Sequence, residues 1–401
     1  MSSRGQDTVS PIGLPEAGTD SANATRTDAM AGDAMGRLVA AGQSVWLDSI
    51  DRPLIASGEL ARLIANRHLA GLTSNPAIFQ KAMAGAAYRA DMARLRQSGA
   101  SAIAVYEALA IADVQAAADL FRPLYEQTGG RDGLVSLEVS PVLAHDAPGT
   151  VVEARRLWAA LDRPNVMIKV PGTPAGVAAI EALLAYGINV NVTLLFARDA
   201  FEAVAEAHAC ALEQRLAAGQ SVERIASVAS FFISRIDTHV DAELERVALA
   251  APVAGIDRET ILALRGKTAI ANARLAYADA LARQALPRWG RLAAAGARPQ
   301  RLLWASTSCK NPAYRDVVYV ESLVGADTVN TLPPTTLAAF ADHGVVSDTL
   351  PGNLFEARHT LAMLHALGVD LDRVTSQLLS DGLQQFADAF AALIGAVEKA
   401  G

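Results

Sequence analysis

Eight short strand-like runs alternate with alanine-rich helical segments from about residue 36, and this alternation constrains the fold more than any other feature. The helical segments carry apolar residues at helical spacing, for example at 174–185, 198–217 and 258–284. Strands that alternate with helices form parallel β/α units, and eight units that close on themselves form a (β/α)8 TIM barrel of the α/β class. The strands are predicted at residues 44–49, 69–73, 134–139, 166–170, 188–193, 227–232, 302–307 and 327–331.

An open, doubly wound sheet is the alternative architecture. Such sheets usually carry a glycine-rich Gly-x-Gly-x-x-Gly turn or a Gly-x-x-x-x-Gly-Lys-Ser/Thr loop, and this chain has neither after a strand. We therefore predict one barrel domain over residues 36–401. Additional helices are expected at about 80–133 and 240–300, and the C-terminal 354–399 is expected to be helical with a break near Gly368.

The first 33 residues are rich in Ser, Thr, Asp, Gly and Ala and lack the apolar core of a signal peptide. We predict a disordered tail at 1–33 and hypothesise that the natural start is Met30 or Met35.

Composition excludes several classes of function. With a formal charge of −7 and its 35 basic residues spread along the chain, the sequence offers no basic stripe for nucleic acid. Cys210 and Cys309 form no metal-ligand spacing and no disulfide framework, which favours a reducing cytoplasm. No apolar stretch approaches the roughly 18 residues that span a bilayer. We predict a cytoplasmic globular protein without a nucleic-acid or membrane partner, as a monomer or homodimer.

Lys169 is the only one of the chain's five lysines that lies within a strand-like run. The run Asn165-Val-Met-Ile-Lys-Val-Pro-Gly-Thr173 is typical of a buried strand that delivers an amine to a loop edge. Burial favours a neutral amine, and a neutral amine can attack a carbonyl to form a Schiff base. The alternative is a lysine whose stem packs in the barrel wall while its ammonium reaches solvent or pairs with a carboxylate.

Alternation along the strands places many polar side chains on one face. Residues of equal parity share a face of a strand, and the intervening residues are aliphatic. In a barrel this polar face is the interior, and active sites lie where the strands end. Any single buried polar residue has an ordinary hydrogen-bonding explanation, but the whole set is hard to explain as packing. The polar residues concerned are Asp48, Ser136, Glu138, Lys169, Asn189, Asn191, Thr193 and Ser230.

Several segments of the chain, from about residue 36 to the end and in order, resemble transaldolase. The most specific is the Asn-x-Asn-x-Thr-Leu-Leu-Phe run at 189–196, and the Trp-Ala-Ser-Thr segment at 304–307 is similar to the long, actinobacterial-like form of the family. The other segments are Trp46-Leu-Asp48, Leu72-Thr-Ser-Asn-Pro76, Ser136-Leu-Glu-Val139, Ile168-Lys-Val-Pro-Gly-Thr173 and Ser230-Phe-Phe-Ile-Ser-Arg235.

The resemblance implies a class I aldolase-like (β/α)8 barrel that uses no cofactor and no metal. The implied reaction, in the non-oxidative pentose phosphate pathway, moves a dihydroxyacetone unit from a ketose phosphate to an aldose phosphate. By resemblance, Lys169 forms the Schiff base, Asp48 is the acid–base group for C3–C4 cleavage, and Glu138 and Thr193 relay protons through a water. Substrate-binding roles are implied for Asn75, Asn191, Ser230, Arg235 and Lys310.

Two positions carry further expectations. Where many transaldolases have a second phosphate-binding arginine, this chain offers Lys310, which cannot form a bidentate fork. Phe232 stands where aldolase-type relatives that release free dihydroxyacetone usually have tyrosine, so it favours transfer over cleavage. For Arg235 the alternative is a surface ion pair with Asp237 or Glu243.

Three other functions remain open from the sequence. They are a single-substrate aldolase, a non-catalytic sugar-phosphate sensor, and a pyridoxal-phosphate enzyme, which also uses a Schiff-base lysine.

Overall fold

The computed structural model describes residues 33–249 and 255–399. Except for Asp33, the predicted N-terminal tail lies outside these residues. Within them, eight parallel strands form one closed barrel in the order of the sequence, so the predicted (β/α)8 fold is confirmed. The strands are β1 Gln43–Asp48, β2 Leu69–Thr73, β3 Leu134–Glu138, β4 Val166–Pro171, β5 Val190–Leu195, β6 Ser227–Phe232, β7 Arg301–Ala305 and β8 Thr328–Leu332.

Helices surround the barrel and extend across one end of it. No described helix is both long and apolar enough to cross a bilayer. Single turns of 3-10 helix occur at Ala86–Tyr88 and Pro141–Leu143. The α-helices are α1 Ala34–Ala40, α2 Arg52–Ala56, α3 Glu59–Asn66, α4 Pro76–Met83, α5 Arg89–Gln97, α6 Ala102–Gln127, α7 Ala147–Leu161, α8 Pro174–Tyr186, α9 Arg198–Ala217, α10 Ser234–Leu249, α11 Arg258–Leu262, α12 Thr268–Gln284, α13 Pro287–Ala294, α14 Val318–Ser322, α15 Pro334–His343, α16 Leu354–Ala366 and α17 Leu371–Lys399.

Two glycines explain where predicted helices stop. The helical pattern at 258–284 divides into α11 and α12 around Gly266, which has a φ of 71° and donates its N–H to Asp241 at 2.9 Å. Gly368 follows the end of α16 and has a φ of 74°. This left-handed backbone conformation is strained for a residue with a side chain but not for glycine. The predicted break near Gly368 is therefore confirmed.

Strand β5 begins two residues later than predicted, and this corrects the placement of Asn189. The Asn189 amide donates to the carbonyls of Pro164 and Val166 and accepts the N–H of Ala226 at 2.9 Å. These partners lie before or at the starts of β4 and β6, at the end of the barrel opposite to the strand carboxyl ends. Asn189 thus joins the loops that precede three strands, and its inclusion in the polar set of the cavity was wrong.

The barrel interior is filled by large side chains below the level of the strand ends. Trp46 is fully buried on the same face of β1 as Asp48, and Gly71 is its partner on β2. A Cβ on residue 71 would lie 2.5 Å from the Trp46 indole, so only glycine fits there. Trp46 therefore closes the interior beneath Asp48, whose side chain lies nearer to the carboxyl ends of the strands.

Candidate active site

A cavity lies at the carboxyl ends of the barrel strands, where (β/α)8 enzymes bind their substrates. Two of the nine predicted site residues, Glu138 and Asn191, contact its lining from within the barrel wall. The other seven line the cavity directly: Asp48, Asn75, Lys169, Thr193, Ser230, Arg235 and Lys310.

The register of β3 and β4 sets Lys169 beside Glu138. The two residues are direct partners across neighbouring parallel strands, so their side chains point to the same face. Lys169 Nζ lies 3.3 Å from Glu138 Oε2 and donates to the carbonyl of Ser74 at 3.1 Å. Lys169 is 5% exposed and Glu138 is 8% exposed, so the pair is largely shielded from solvent.

Burial raises the pKa of Glu138 to about 7, while the nearby Lys169 ammonium opposes this rise. Taking a carboxylate out of water disfavours its charged form, and here that effect exceeds the attraction of the lysine. The Glu138 carboxyl is therefore able both to accept and to donate a proton near neutral pH.

The hydroxyl of Thr193 faces the same cavity as Lys169. Thr193 is fully buried, and its Oγ1 has no hydrogen-bond partner among the described residues. A buried hydroxyl without a protein partner is normally satisfied by water or a ligand. Thr193 pairs with Pro171, two residues beyond Lys169 on β4, so its hydroxyl is available at the lysine end of the cavity.

A hydrogen-bonded chain fixes the orientation of Asn191. Its Nδ2 donates to Ser136 Oγ at 3.0 Å, and its Oδ1 accepts from Ser230 Oγ at 2.7 Å. Asn191 is the direct strand partner of Lys169, so the chain crosses β3, β5 and β6 beside the lysine. The hydroxyl proton of Ser230 is committed to Asn191, so Ser230 is better suited to orienting that amide than to binding phosphate.

Asp48 enters the cavity from β1. Its Oδ1 accepts from Thr73 Oγ1 at 2.8 Å, and Thr73 Oγ1 lies 3.0 Å from Thr331 Oγ1. Asp48 forms no salt bridge with any described residue, which leaves its carboxylate accessible for proton transfer.

Asn75 follows β2 and caps α4. Its Oδ1 accepts the N–H of Ile78 at 2.9 Å, and its side chain also lines the cavity. This cap was not predicted from the sequence. Because the cap uses Oδ1, Asn75 would contact a ligand through its Nδ2 group.

The cationic end of the cavity is formed by Arg235 and Lys310. Arg235 is half-buried, its guanidinium lies 5.4 Å from the Phe232 ring centroid, and no described carboxylate pairs with it. The alternative of an ion pair with Asp237 or Glu243 is wrong. Asp237 accepts from Ala269 N–H and from the Tyr319 hydroxyl at 2.9 Å, and Glu243 pairs with Arg373.

Lys310 is exposed at the rim and donates to Ser308 Oγ at 2.8 Å. The loop between β7 and α14 that carries it also brings Ser306 and Ser308 into the cavity lining. Neither serine was predicted from the sequence as a site residue, although their position directly after a barrel strand could have identified them.

Phe386 is a further lining residue that the sequence did not indicate, as are Ala305, Thr331 and Pro333. It belongs to α17, and in the sequence it is indistinguishable from other apolar residues of an amphipathic helix. Within the described part of the chain, no group of three or more His, Cys, Asp or Glu side chains is arranged to hold a metal ion.

A closed barrel with a buried lysine paired to a carboxylate at its strand ends defines the class of this protein as an aldolase-type (β/α)8-barrel enzyme. The family follows from comparison with known proteins. A model of the Transaldolase/Fructose-6-phosphate aldolase family matches residues 45–397, and the chain belongs to this family.

Similar proteins are found in several bacteria. The chain is 50% identical over 357 residues to a transaldolase of Thiobacillus denitrificans, with 89% of this chain and 97% of the relative covered. It is 48% identical to a transaldolase of Frankia alni, with 90% and 96% covered. It is 50% identical to a transaldolase of Neisseria gonorrhoeae, with 88% and 97% covered. The prediction of a transaldolase, a transferase enzyme, is confirmed by these findings.

Proposed function

We propose that this chain transfers a dihydroxyacetone unit through a Schiff base on Lys169, from sedoheptulose 7-phosphate or fructose 6-phosphate to glyceraldehyde 3-phosphate or erythrose 4-phosphate. The observation that carries the proposal is the buried contact of 3.3 Å between Lys169 Nζ and Glu138 Oε2 inside the strand-end cavity. A lysine held next to a carboxyl that titrates near neutral pH can lose its proton to that carboxyl and attack a ketone.

Schiff-base formation begins with attack of Lys169 Nζ on the donor C2 carbonyl. The carbinolamine must then lose its C2 oxygen as water, which requires a proton donor. Glu138 fits this role because it then carries the proton that it accepted from Lys169, and its raised pKa favours that protonated form more than in an ordinary carboxyl. The Thr193 hydroxyl, which has no hydrogen-bond partner in the described part of the chain, can hold the departing water.

Cleavage of the donor follows from the positive charge of the iminium. As the C3–C4 bond breaks, its electrons move into the iminium and form a neutral enamine on Lys169. Asp48 takes the proton of the C4 hydroxyl, so the fragment that begins at C4 leaves as an aldehyde. When the enamine attacks the acceptor aldehyde, Asp48 returns the proton to the aldehyde oxygen. Asn191 and Asn75 present amide groups for the hydroxyls of the bound unit.

Arg235 and Lys310 suit the phosphate group of donor and acceptor. Arg235 forms an ion pair with none of the described carboxylates, so it can offer a charge-assisted contact to phosphate, and the exposed Lys310 adds a second positive charge. Ser308 lies beside Lys310 and can donate a further hydrogen bond. Both substrates carry a phosphate, so one site would serve the donor and then the acceptor.

The test is borohydride trapping. The protein is incubated with fructose 6-phosphate, reduced, digested and analysed by peptide mass spectrometry. We expect a dihydroxyacetone-sized adduct on Lys169 alone among the five lysines of the chain. Lys310→Arg is the matched control, because it keeps the positive charge of the rim and should keep the adduct. Binding of fructose 6-phosphate without any adduct on Lys169 would overturn the proposal.

Transfer and simple cleavage are separated by a second assay. Release of free dihydroxyacetone from fructose 6-phosphate is compared with formation of sedoheptulose 7-phosphate when erythrose 4-phosphate is added. Phe232 lines the cavity. Because aldolase-type relatives that release free dihydroxyacetone usually have tyrosine at this position, phenylalanine supports transfer as the main reaction.

The cytoplasmic location rests on the two free cysteines, Cys210 and Cys309, and it stays a prediction, as does a monomeric or dimeric state.

A further inference from the structure

The C-terminal helix α17 lies across the carboxyl end of the barrel. It contacts α4, which follows β2, as well as β5 and α10, which follows β6. Its approach depends on Gly382, since a Cβ there would lie 2.9 Å from Leu194 Cδ2 and 3.7 Å from Arg235 Nη1. The bare glycine backbone therefore allows the helix to pack directly on the rim of the active site.

Phe386 follows Gly382 by one helical turn and lies on the same helix face. Its ring centroid is 5.6 Å from Lys169 Nζ, and the side chain is 6% exposed. One turn further, Phe390 packs edge to face on Tyr106 at 5.6 Å, outside the cavity lining. Of these two aromatic residues, only Phe386 is directed at the reactive amine.

The strands and the helix contribute different chemistry around Lys169. The strands supply carboxyl, hydroxyl and amide groups as well as the apolar Phe232 and Ala305, whereas α17 supplies the hydrocarbon ring of Phe386, which has no hydrogen-bonding group. An apolar wall offers no partner to water, and a water molecule needs several polar partners to be retained in a cavity. Phe386 thus shields one side of the amine while Glu138 and Thr193 remain available on the others.

We propose that Phe386 determines reaction specificity by keeping water from the enamine on Lys169, so that transfer prevails over release of free dihydroxyacetone. This inference rests on the Schiff-base function proposed above. Release requires protonation of the enamine at C3 to give an iminium, addition of water to C2, and cleavage of the C2–N bond. The products are dihydroxyacetone and the free amine. Transfer requires only that C3 attacks the acceptor aldehyde.

The experiment measures the ratio of release to transfer in Phe386→Ala, Phe386→Leu and the wild type. Release is followed as dihydroxyacetone formed from fructose 6-phosphate alone, and transfer as sedoheptulose 7-phosphate formed with erythrose 4-phosphate. Phe390→Ala is the matched control, since it removes the same ring from the same helix face outside the cavity. Borohydride trapping on Lys169 is carried out on every protein.

We expect the ratio to rise about tenfold in Phe386→Ala, the change produced by about 1.4 kcal/mol in the relative barriers. Phe386→Leu, which keeps part of the apolar wall, should give an intermediate ratio, and Phe390→Ala should resemble the wild type. If Phe386→Ala loses the Lys169 adduct through misfolding, the ratio in Phe386→Leu decides the question.

An unchanged ratio in adduct-forming Phe386 variants would overturn this inference, as would an equal rise in Phe390→Ala. In both cases the Schiff-base function would stand. Absence of an adduct in the wild type would overturn the proposed function itself, so the two failures are distinguishable.

Discussion

Replacement of Glu138 by glutamine tests the proton relay most directly. The change keeps the length and shape of the side chain but removes its ionisation. In the wild type, burial raises the pKa of Glu138 to about 7. About one carboxyl in ten is therefore ionised at pH 6 and about nine in ten at pH 8. Only the ionised form can accept a proton from Lys169, whose amine must be neutral to attack.

We therefore expect Schiff-base formation in the wild type to accelerate about tenfold between pH 6 and pH 8. In Glu138→Gln the acceleration with pH near 7 should disappear. The rate at pH 8 should fall by at least about a hundredfold, the lower end of the contribution of a positioned acid–base group. The assay is rapid quenching with borohydride after mixing with fructose 6-phosphate, followed by quantification of the Lys169 adduct.

Glu153→Gln provides the matched control for this experiment. Glu153 is also a carboxyl whose pKa is raised by burial, but it accepts the N–H of Ser140 at 2.6 Å and does not line the cavity. Its replacement should leave the rate and pH dependence of adduct formation unchanged. The relay would be refuted if Glu138→Gln kept the acceleration near pH 7, or if its rate fell no more than that of Glu153→Gln.

Three further variants probe other parts of the structure. Asp48→Asn should still form a Schiff base but should not cleave it, so the adduct trapped on the lysine should carry the whole ketose phosphate; a dihydroxyacetone-sized adduct at the wild-type rate would contradict the base assignment. Tyr314 anchors the loop that carries Lys310 by donating to Asp241 Oδ2 at 2.7 Å. Loss of this anchor leaves an acceptor without its donor, which costs about 1–3 kcal/mol. Tyr314→Phe should therefore raise KM for fructose 6-phosphate by about fivefold to a hundredfold with little change in kcat. Equal changes in KM for fructose would argue against a phosphate-specific effect. Burial raises the pKa of Asp237 from 3.8 to about 7, so the free energy of unfolding falls as the pH rises through this range; in Asp237→Asn the fall should be smaller by up to about 4 kcal/mol in urea titrations, and parallel curves for both proteins would contradict this.

The amino-acid pattern was sufficient to predict the barrel and part of the cavity lining, namely Asp48, Lys169, Thr193 and Ser230, whereas Asn75, Arg235 and Lys310 were expected only from the family resemblance. Period-two alternation is a local property, so the shared face of Trp46 and Asp48, or of Met167 and Lys169, follows from the chain alone. Closure of the strands then brings such faces into one interior. The motifs around Lys169 and along the other strands indicated the transaldolase family, and the match of residues 45–397 to the family model confirmed it.

Asn189 and Asn75 show where this reasoning was insufficient. Asn189 has the parity of Asn191 but lies before the strand begins, where three backbone groups hold it at the other end of the barrel. Asn75 lines the cavity as predicted, yet its Oδ1 is used by a helix cap. Hydrogen-bond partners depend on which backbone groups are left free nearby, and a one-dimensional pattern does not contain that information.

The sequence by itself determined which side chains could share the barrel interior, because the alternation of side-chain direction along a strand depends only on neighbouring residues. Only the tertiary structure decided which of them touch. Strand register set Lys169 beside Glu138, and packing placed Arg235 against Phe232, with no ion pair to a carboxylate in the described ranges. The glycine contact of α17 brought Phe386 over the amine from a helix more than 200 residues further along the chain. These contacts join residues distant in sequence, so they are determined by how the folded elements pack.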